Sequence, residues 1–400
     1  MNDLGDADPH GDVIVSVFGR TDVGRTREHN EDAFAVADLS TDNPSLLPEV
    51  RRHVLGPKGT LFMVADGMGG AAAGEIASAM AVEVVLAEMR EKWIGSDATD
   101  SDEFVRAIRR ATVAANQQIH NFAASHSEYR GMGTTATVAG LLGDVLYVAQ
   151  VGDSRAYLVR DGVARQITKD QSLMQKLIEA GELTEDEAAQ SERRNIILQA
   201  LGPEPMVKID LTHQKVRRGD VLVLCSDGLS GQVKKDEIAR IVTEEADLVS
   251  ACKRLIDLAN ENGGPDNITV IAARFDGARL EPPVTTDEVG HRVFPLPETG
   301  QTPAVADAPP VVTPRRTPKP AAAPTTPPDG TDFSTAPTPP SGSPTVSPKR
   351  RQAGTVIAVA LLVALVATAV WFVVRTAQKV APAVDSARAA PAQPGPAPRG

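Results

Sequence analysis

The chain has only two cysteines in 400 residues, Cys225 and Cys252. They form no CxxC pair and no histidines stand near them at zinc spacing, which argues against a zinc site. Cys225 sits inside the apolar run VLVLC, the setting of a buried, inert thiol, and so sparse a use of cysteine fits a reducing compartment. A positive balance of charge is also missing: 41 Lys and Arg stand against 52 Asp and Glu, a net −11. Nucleic-acid binding needs a basic face, so no nucleic-acid partner is expected. The opening MNDLGDADPHGD has no basic stretch followed by an apolar one, so no secretory signal is expected. Long apolar runs are scarce, with one exception. GTVIAVALLVALVATAVWFVV, residues 354–374, carries no charge and has about the 20 residues needed to cross a bilayer core.

What is present divides the chain. Residues 1–10 read as a flexible N-terminus. Residues 11–276 alternate apolar runs, amphipathic stretches and glycines, the pattern of a folded domain. Residues 277–352 are rich in Pro, Thr and Ala and cannot bury enough apolar surface to offset their ordering entropy, so a disordered linker is expected. A transmembrane helix is expected over 353–374, with Trp371 and Phe372 near one end, where aromatic rings favour the interface. Lys349, Arg350 and Arg351 precede it and outnumber Arg375 and Lys379 after it. The positive-inside tendency then puts the large N-terminal part in the cytoplasm and 375–400 outside as a short tail. The chain reads as a single-pass protein of the cell membrane with a tethered cytoplasmic domain.

Within that domain the pattern predicts strands at Val13–Phe18, Ala33–Ala37, Leu61–Ala65, Thr134–Leu142, Val145–Val151, Arg155–Val159, on to Ile167, and at Val207–Leu211, Val221–Cys225 and Ile268–Ala273. Helical spacing covers about 71–92, 102–123, 172–180, 184–190, 235–243 and 246–262. Strands cluster with strands and helices with helices. That favours an α+β fold with antiparallel sheets and helices packed outside them over a doubly wound parallel sheet.

Three apolar strands end on an aspartate: LFMVADGMGG at Asp66, LYVAQVGDSR at Asp153 and VLVLCSDGLS at Asp227. Each alone is explained by a helix cap or a turn. But GGPDNITVIAA places Asp266 just before another strand, and TREHNEDAF puts Glu31 and Asp32 at the head of one more. Carboxylates that converge repel one another unless a cation stands between them, and hard divalent ions such as Mg²⁺ or Mn²⁺ prefer oxygen ligands. A carboxylate-lined metal centre on rigid strand ends follows. Two phosphate-binding readings of the glycines fail. Gly69 and Gly74 have P-loop spacing, but Glu75 and Ile76 follow where Lys and Ser or Thr are needed. Gly67, Gly69 and Ala72 loosely fit a dinucleotide turn, but Asp66 would repel the pyrophosphate.

Six motifs now stand in order: Arg27-x-x-Asn30-Glu31-Asp32, Ala65-Asp66-Gly67-Met68-Gly69-Gly70, Gly131-Met132-Gly133-Thr134-Thr135, Gly152-Asp153-Ser154-Arg155, Ser226-Asp227-Gly228-Leu229 and Gly264-Pro265-Asp266-Asn267. Together they resemble the protein phosphatase 2C family, the metal-dependent serine/threonine protein phosphatases, and most of all its bacterial members. The resemblance covers about 13–275. It implies two antiparallel sheets flanked by helix pairs and a centre of two divalent metals, Mn²⁺ or Mg²⁺. It implies that Asp66 bridges both metals, that Gly67 binds one through its carbonyl, and that Asp227 and Asp266 hold the other. Glu31 and Asp32 would act at the metals directly or through water. Asp153 would help hold a third, weaker metal, and Arg27 would grip the substrate phosphate. The implied reaction is hydrolysis of phosphoserine and phosphothreonine by a hydroxide held between the metals. The membrane-anchored layout resembles actinobacterial phosphatases that oppose membrane Ser/Thr kinases, so such kinases and their phosphorylated substrates are the implied partners. A catalytically inactive, phosphoprotein-binding module is the alternative. The chain departs from the family in two places. Met68 stands where many eukaryotic relatives have a histidine, so no side chain is named as general acid. Asp170-Gln171-Ser172 stands where bacterial relatives often show D-H-S, at the start of a region resembling a mobile flap.

Overall fold

The computed structural model describes residues 12–41, 52–70, 73–284 and 288–296. The chain opens with β1 (Ile14–Asp22), β2 (Asp32–Asp38), β3 (Arg52–Val54) and β4 (Thr60–Met68), followed by helices α1 (Ala73–Met89) and α2 (Ser101–Ser125). Strands β5 (Gly133–Thr134), β6 (Ala136–Leu142), β7 (Val145–Val151), β8 (Arg155–Arg160) and β9 (Val163–Gln166) come next. Two short helices, α3 (Leu173–Glu179) and α4 (Glu185–Gln190), precede β10 (Asp210–Lys215) and β11 (Val221–Cys225). The domain finishes with α5 (Asp227–Ser230), α6 (Lys235–Glu244), α7 (Leu248–Glu261) and β12 (Ile268–Asp276).

These strands form two antiparallel sheets. One has the order β3-β1-β12-β11-β8-β9; the other runs β10-β7-β6-β4-β2, with β5 paired to β4. The expected α+β architecture is therefore what the chain adopts. Its core lies in three layers. Between the sheets sit Val15, Val17, Phe62, Val64, Leu158, Leu224, Ile271 and Phe275, and the rings of Phe62 and Phe275 meet edge to face at 6.4 Å across the gap. Outside the second sheet, α1 and α2 bury Ala77, Ala81, Val85, Phe104, Ile108 and Ile119. In α2, Phe104, Ile108, Ala111, Ala115 and Ile119 recur at three- and four-residue intervals and form one apolar face, whereas α1 is apolar over most of its circumference. Outside the first sheet, Ile238, Ile241 and Val242 of α6 and Leu255 and Ile256 of α7 are likewise buried. Side chains start α2 and α7: Asp100 accepts from the Glu103 N–H and Asp247 from the Ser250 N–H, each cap contributing about 1 kcal/mol.

Three departures from the expected pattern have physical causes. The strand expected at Val207–Leu211 is instead Asp210–Lys215, because its buried residues are polar, Thr212 and Gln214, and carry no apolar signal. The Lys208 N–H is meanwhile taken by the Gln199 side chain. The three residues of β3, Arg-His-Val, are too short and too polar to show a period. Ordered structure also continues past Asp276. Leu280 is 1% exposed in the core between the sheets. Thr212 and Val293 form an isolated bridge, and the Phe294 N–H donates to the Leu211 carbonyl along the outer edge of β10. A proline-rich composition hid this stretch, because only a few apolar residues, Leu280, Val289, Phe294 and Leu296, dock it. Among the described residues no helix is long and apolar enough to cross a membrane. The expected N-terminus at 1–10, the linker from 297 to 352, the span at 353–374 and the tail at 375–400 lie outside the described residues.

Candidate metal centre

Strand direction explains why the aspartates meet. β2 and β4 are antiparallel, and their register sets Asp32 directly opposite Asp66. β7 is antiparallel to β6, which is antiparallel to β4. The far end of β7, where Asp153 follows, thus lies on the same side as Asp66. In the other sheet Asp227 follows the end of β11 and Asp266 precedes the start of the antiparallel β12. All five carboxylates therefore collect at one end of the sandwich.

The surrounding groups fix these residues but leave one buried oxygen of Asp32 and one of Asp153 unpaired. Oδ2 of Asp32 accepts from Ser226 Oγ at 2.8 Å and from Thr269 Oγ1 at 2.7 Å. Its Oδ1 is buried and has no hydrogen-bond partner, and the same is true of Oδ1 of Asp153, a residue only 6% exposed. The backbone of Asp66 is fixed through the adjacent threonines: its N–H donates to Thr135 Oγ1 at 2.9 Å, and its carbonyl accepts from Thr134 Oγ1 at 2.9 Å. Asp227 opens α5, behind the buried Ser226. Asp266 accepts from Asn267 N and, through Oδ2, from Nη2 of Arg27 at 2.8 Å.

The electrostatics are one-sided. Burial pushes the carboxyls of Asp32 and Asp153 up to about 7. For Asp32, Ser226 and Thr269 work against that rise while Asp227 and Asp266 add to it. Asp227 and Asp170 add to the rise at Asp153, and Arg155 opposes it. Burial raises Asp66 well above the ordinary range, and Asp32, Asp227, Asp153 and Asp266 raise it further. Asp227 is raised by burial and by Asp266, and a side-chain hydrogen bond with Asp66 pulls it back. A cluster of this kind needs protons or cations between its members. The two orphaned oxygens and the all-oxygen donor set fit hard divalent ions. Among the described residues no three such groups already close on a single point. That is compatible with ions that take one or two carboxylates each and keep several waters.

The remaining expected residues take more specific places. Glu31 is 7% exposed, but its carboxylate runs toward Gly74 in the first turn of α1, where an added Cβ would come within 2.3 Å of Oε2. Its backbone joins the centre: the Glu31 N–H donates to Asn267 Oδ1 at 2.8 Å, and its carbonyl accepts from Gly67 N at 3.1 Å. Gly67 is wedged so tightly that a Cβ would meet the Gly74 carbonyl at 2.3 Å and the Glu31 carbonyl at 2.5 Å, so the position admits only glycine. Arg27 keeps 47% of its side chain exposed beside Asp266. Burial opposes its charge, while Asp266, Glu31 and Asp66 reinforce it.

Sequence reasoning did not assign roles to Asn267, Ser226, Thr269 or Arg155. Asn267 donates to the carbonyls of Val23 and His29 and so clamps the loop that carries Arg27 and Glu31. Arg155 forks onto both oxygens of Asp170 at 2.7–3.1 Å. The signal was adjacency, since Asn267, Ser226 and Arg155 all lie inside the quoted motifs.

Comparison with known proteins agrees with this geometry. The family model described as Protein phosphatase 2C matches residues 51–269. The chain is 36% identical over 258 residues to the serine/threonine phosphatase stp of Listeria monocytogenes, covering 64% of this chain and 94% of that one. The solved serine/threonine phosphatase of S. agalactiae superposes with a TM-score of 0.57 at 34% identity, over 65% of this chain and 99% of that one. The catalytic domain of the serine threonine protein phosphatase PstP, solved in complex with 2 manganese ions, gives 0.53 at 32% identity over 66% and 99%. With six motifs in order, the two-sheet fold and the carboxylates gathered at one end, this chain belongs to the protein phosphatase 2C family of serine/threonine protein phosphatases.

Proposed function

We propose that the carboxylate end of the sandwich hydrolyses phosphoserine and phosphothreonine on cytoplasmic proteins, with two divalent cations, Mn²⁺ or Mg²⁺, as its cofactors. One observation carries this reading: Asp32, Asp66, Asp153 and Asp227 are crowded together, burial and neighbouring carboxylates raise the proton affinity of each, and two of them keep a buried oxygen without a partner. The PstP relative solved with 2 manganese ions supports the same count of ions here. When bound, the ions supply Lewis acidity and an activated water.

The protein's own groups do the rest. Asp66, with the Gly67 carbonyl beside it, would contribute to holding both ions, and Asp227 and Asp266 would hold one of them. Asp32 is oriented by Ser226 and Thr269, which leaves Oδ1 for an ion or its water. Glu31 supports the centre through its backbone and the Gly67 contact. Asp153 serves a third, weaker ion. Arg27 binds the substrate phosphate: one N–H stays on Asp266, and the exposed remainder of its planar fork meets phosphate oxygens. Its charge offsets the negative charge that grows on those oxygens as the ester bond breaks. Neither cysteine takes part, since both are buried and burial pushes their thiols up to about 12.

The apolar run at 353–374 and its flanking charges support single-pass anchoring in the cell membrane, with this domain on the cytoplasmic side. Membrane Ser/Thr kinases and their substrates are then the natural partners. The test is phosphate release from a phosphothreonine peptide in EDTA, Mg²⁺ and Mn²⁺, beside Asp66→Asn. Release that needs the metal and vanishes in the variant supports the reading. Full activity in EDTA, or in the variant, overturns it.

A further inference from the structure

The side chain of Gln171 bonds two separate stretches of backbone, 150–152 and Lys208. Its Oε1 accepts from the Gly152 N–H at 3.0 Å, and its Nε2 donates to the carbonyls of Gln150 at 3.4 Å and Lys208 at 3.3 Å. The backbone is fastened in the same places: the Gln171 N–H donates to the Gly152 carbonyl at 2.9 Å, and its carbonyl accepts from Leu198 N at 2.7 Å. One residue thus joins the end of β7, the turn that delivers Asp153, and both ends of the segment 168–209 that carries α3 and α4.

The neighbouring position adds a second bond to the same turn. Asp170 takes Nε and Nη2 of Arg155 and also accepts from Gln166 Nε2 at 2.9 Å. Asp153 is therefore bracketed: Gly152 before it is held by Gln171, and Arg155 after it by Asp170. The turn has little freedom of its own. Gly152 has φ +100°, and a Cβ there would meet Thr135 at 2.6 Å. Thr135 in turn holds the Asp66 N–H, and its hydroxyl lies 2.7 Å from Ser154 Oγ.

We infer that Gln171 is a positioning residue for the phosphatase reaction: it couples the segment 168–209 to the Asp153 turn, so that the placement of this segment and the placement of the Asp153 carboxylate are set together. This rests on the reading that Asp153 belongs to the metal centre. The chemistry of the residue suits the role. An amide presents an acceptor and two donors at once, so it can bond Gly152 while also reaching Gln150 and Lys208. An imidazole has only two ring nitrogens and cannot reproduce all three bonds. Groups that orient a metal ligand are typically worth about 10- to 100-fold in metal affinity.

The experiment compares the full chain with Gln171→Met, which keeps the volume and removes every side-chain bond, and with Gln171→His, which keeps an acceptor for Gly152. Mn²⁺ binding is measured by titration calorimetry and backbone amide exchange by mass spectrometry. In Gln171→Met the weakest Mn²⁺ step should weaken by about tenfold. Amides of 168–209 should exchange about tenfold faster, while those of α6 and α7 stay unchanged. Gln171→His should fall between this variant and the native chain, and it is read alone should Gln171→Met fail to fold. Native Mn²⁺ binding and native exchange overturn the inference, and so does a uniform rise in exchange across the domain, which marks a purely structural role. Asp153→Asn separates the two readings. If it leaves Mn²⁺ binding unchanged, the assignment of Asp153 falls; if it weakens binding while Gln171→Met does not, only the role of Gln171 falls.

Discussion

The two ends of the sandwich both bury aspartates, and they treat them in opposite ways. At the end of β8 and the start of β11, Asp220 is 1% exposed, and Arg160 forks onto it at 2.6 and 2.9 Å. The Arg217 N–H adds a third bond at 2.7 Å. Burial raises the Asp220 carboxyl, but the hydrogen bonds from Arg160 and Arg217 pull it back. At the other end the same burial acts on Asp66, and its carboxylate neighbours push in the same direction as burial. A buried carboxylate whose neighbours cancel its charge is part of the scaffold. A set whose members reinforce one another is unstable alone and calls for a bound cation. One protein thus holds both the structural and the functional form of the same side chain.

The comparison is broken most severely by removing charge from the uncompensated end. Asp66→Asn or Asp227→Asn should lower metal-dependent phosphate release by about four orders of magnitude or more, roughly 5 kcal/mol of barrier, while the metal-free fold loses nothing. Thermal melts in EDTA check the second half, and a loss of folding in both variants would contradict it. The mirror experiment is Asp220→Asn, which removes the countercharge of the buried Arg160. It should cost about 3–5 kcal/mol of stability and leave the turnover of the folded fraction unchanged, as read from denaturant melts beside active-site-normalised rates.

A pH series sharpens the contrast without mutation. Asp32 and Asp153 hold their protons up to about 7 in the folded protein, against 3.8 in an unfolded chain. A folded state that binds protons more tightly than the unfolded one is favoured at low pH. The metal-free domain should therefore lose stability as pH rises from about 4 to about 7, and Mn²⁺, which competes with those protons, should abolish the loss. A metal-free melting temperature that rises over this window would show the cluster to be already compensated. The smallest expected effect belongs to Arg27, which touches the centre from solvent. Arg27→Ala should raise KM for a phosphopeptide by about tenfold, the value of a charge-assisted hydrogen bond, with little change in melting temperature.

Much of this was legible in the sequence, for reasons that differ by region. Strands such as Leu61–Ala65 and Val221–Cys225 are buried on both faces and so appear as unbroken apolar runs. The aspartates that close them were visible as breaks in those runs. β10 was misplaced because its buried residues are Thr212 and Gln214, whose partners come from elsewhere in the chain. The docking of Leu280, Val289, Phe294 and Leu296 was hidden because a composition average does not register a few apolar residues among prolines. At the site, the acidic residues stood out one by one, but the groups that aim them did not. Asn267 reaches Glu31 across 236 positions and Thr269 reaches Asp32 across 237, and no local pattern records a hydrogen bond of that span. The turning of the Glu31 carboxylate toward Gly74 belongs to the same class, since it depends on how α1 is set against the strands.

Whether the carboxylate end is a built cation site is tested most directly by a calorimetric Mn²⁺ titration of the purified chain at about pH 6, where Asp32 and Asp153 still carry protons, in two buffers of different ionisation enthalpy. The predicted result is binding of at least two ions with release of protons, because Asp32, Asp66 and Asp153 must give theirs up, and loss of that binding in Asp66→Asn. Folded protein that takes up no Mn²⁺, or takes it up equally in Asp66→Asn, would contradict it.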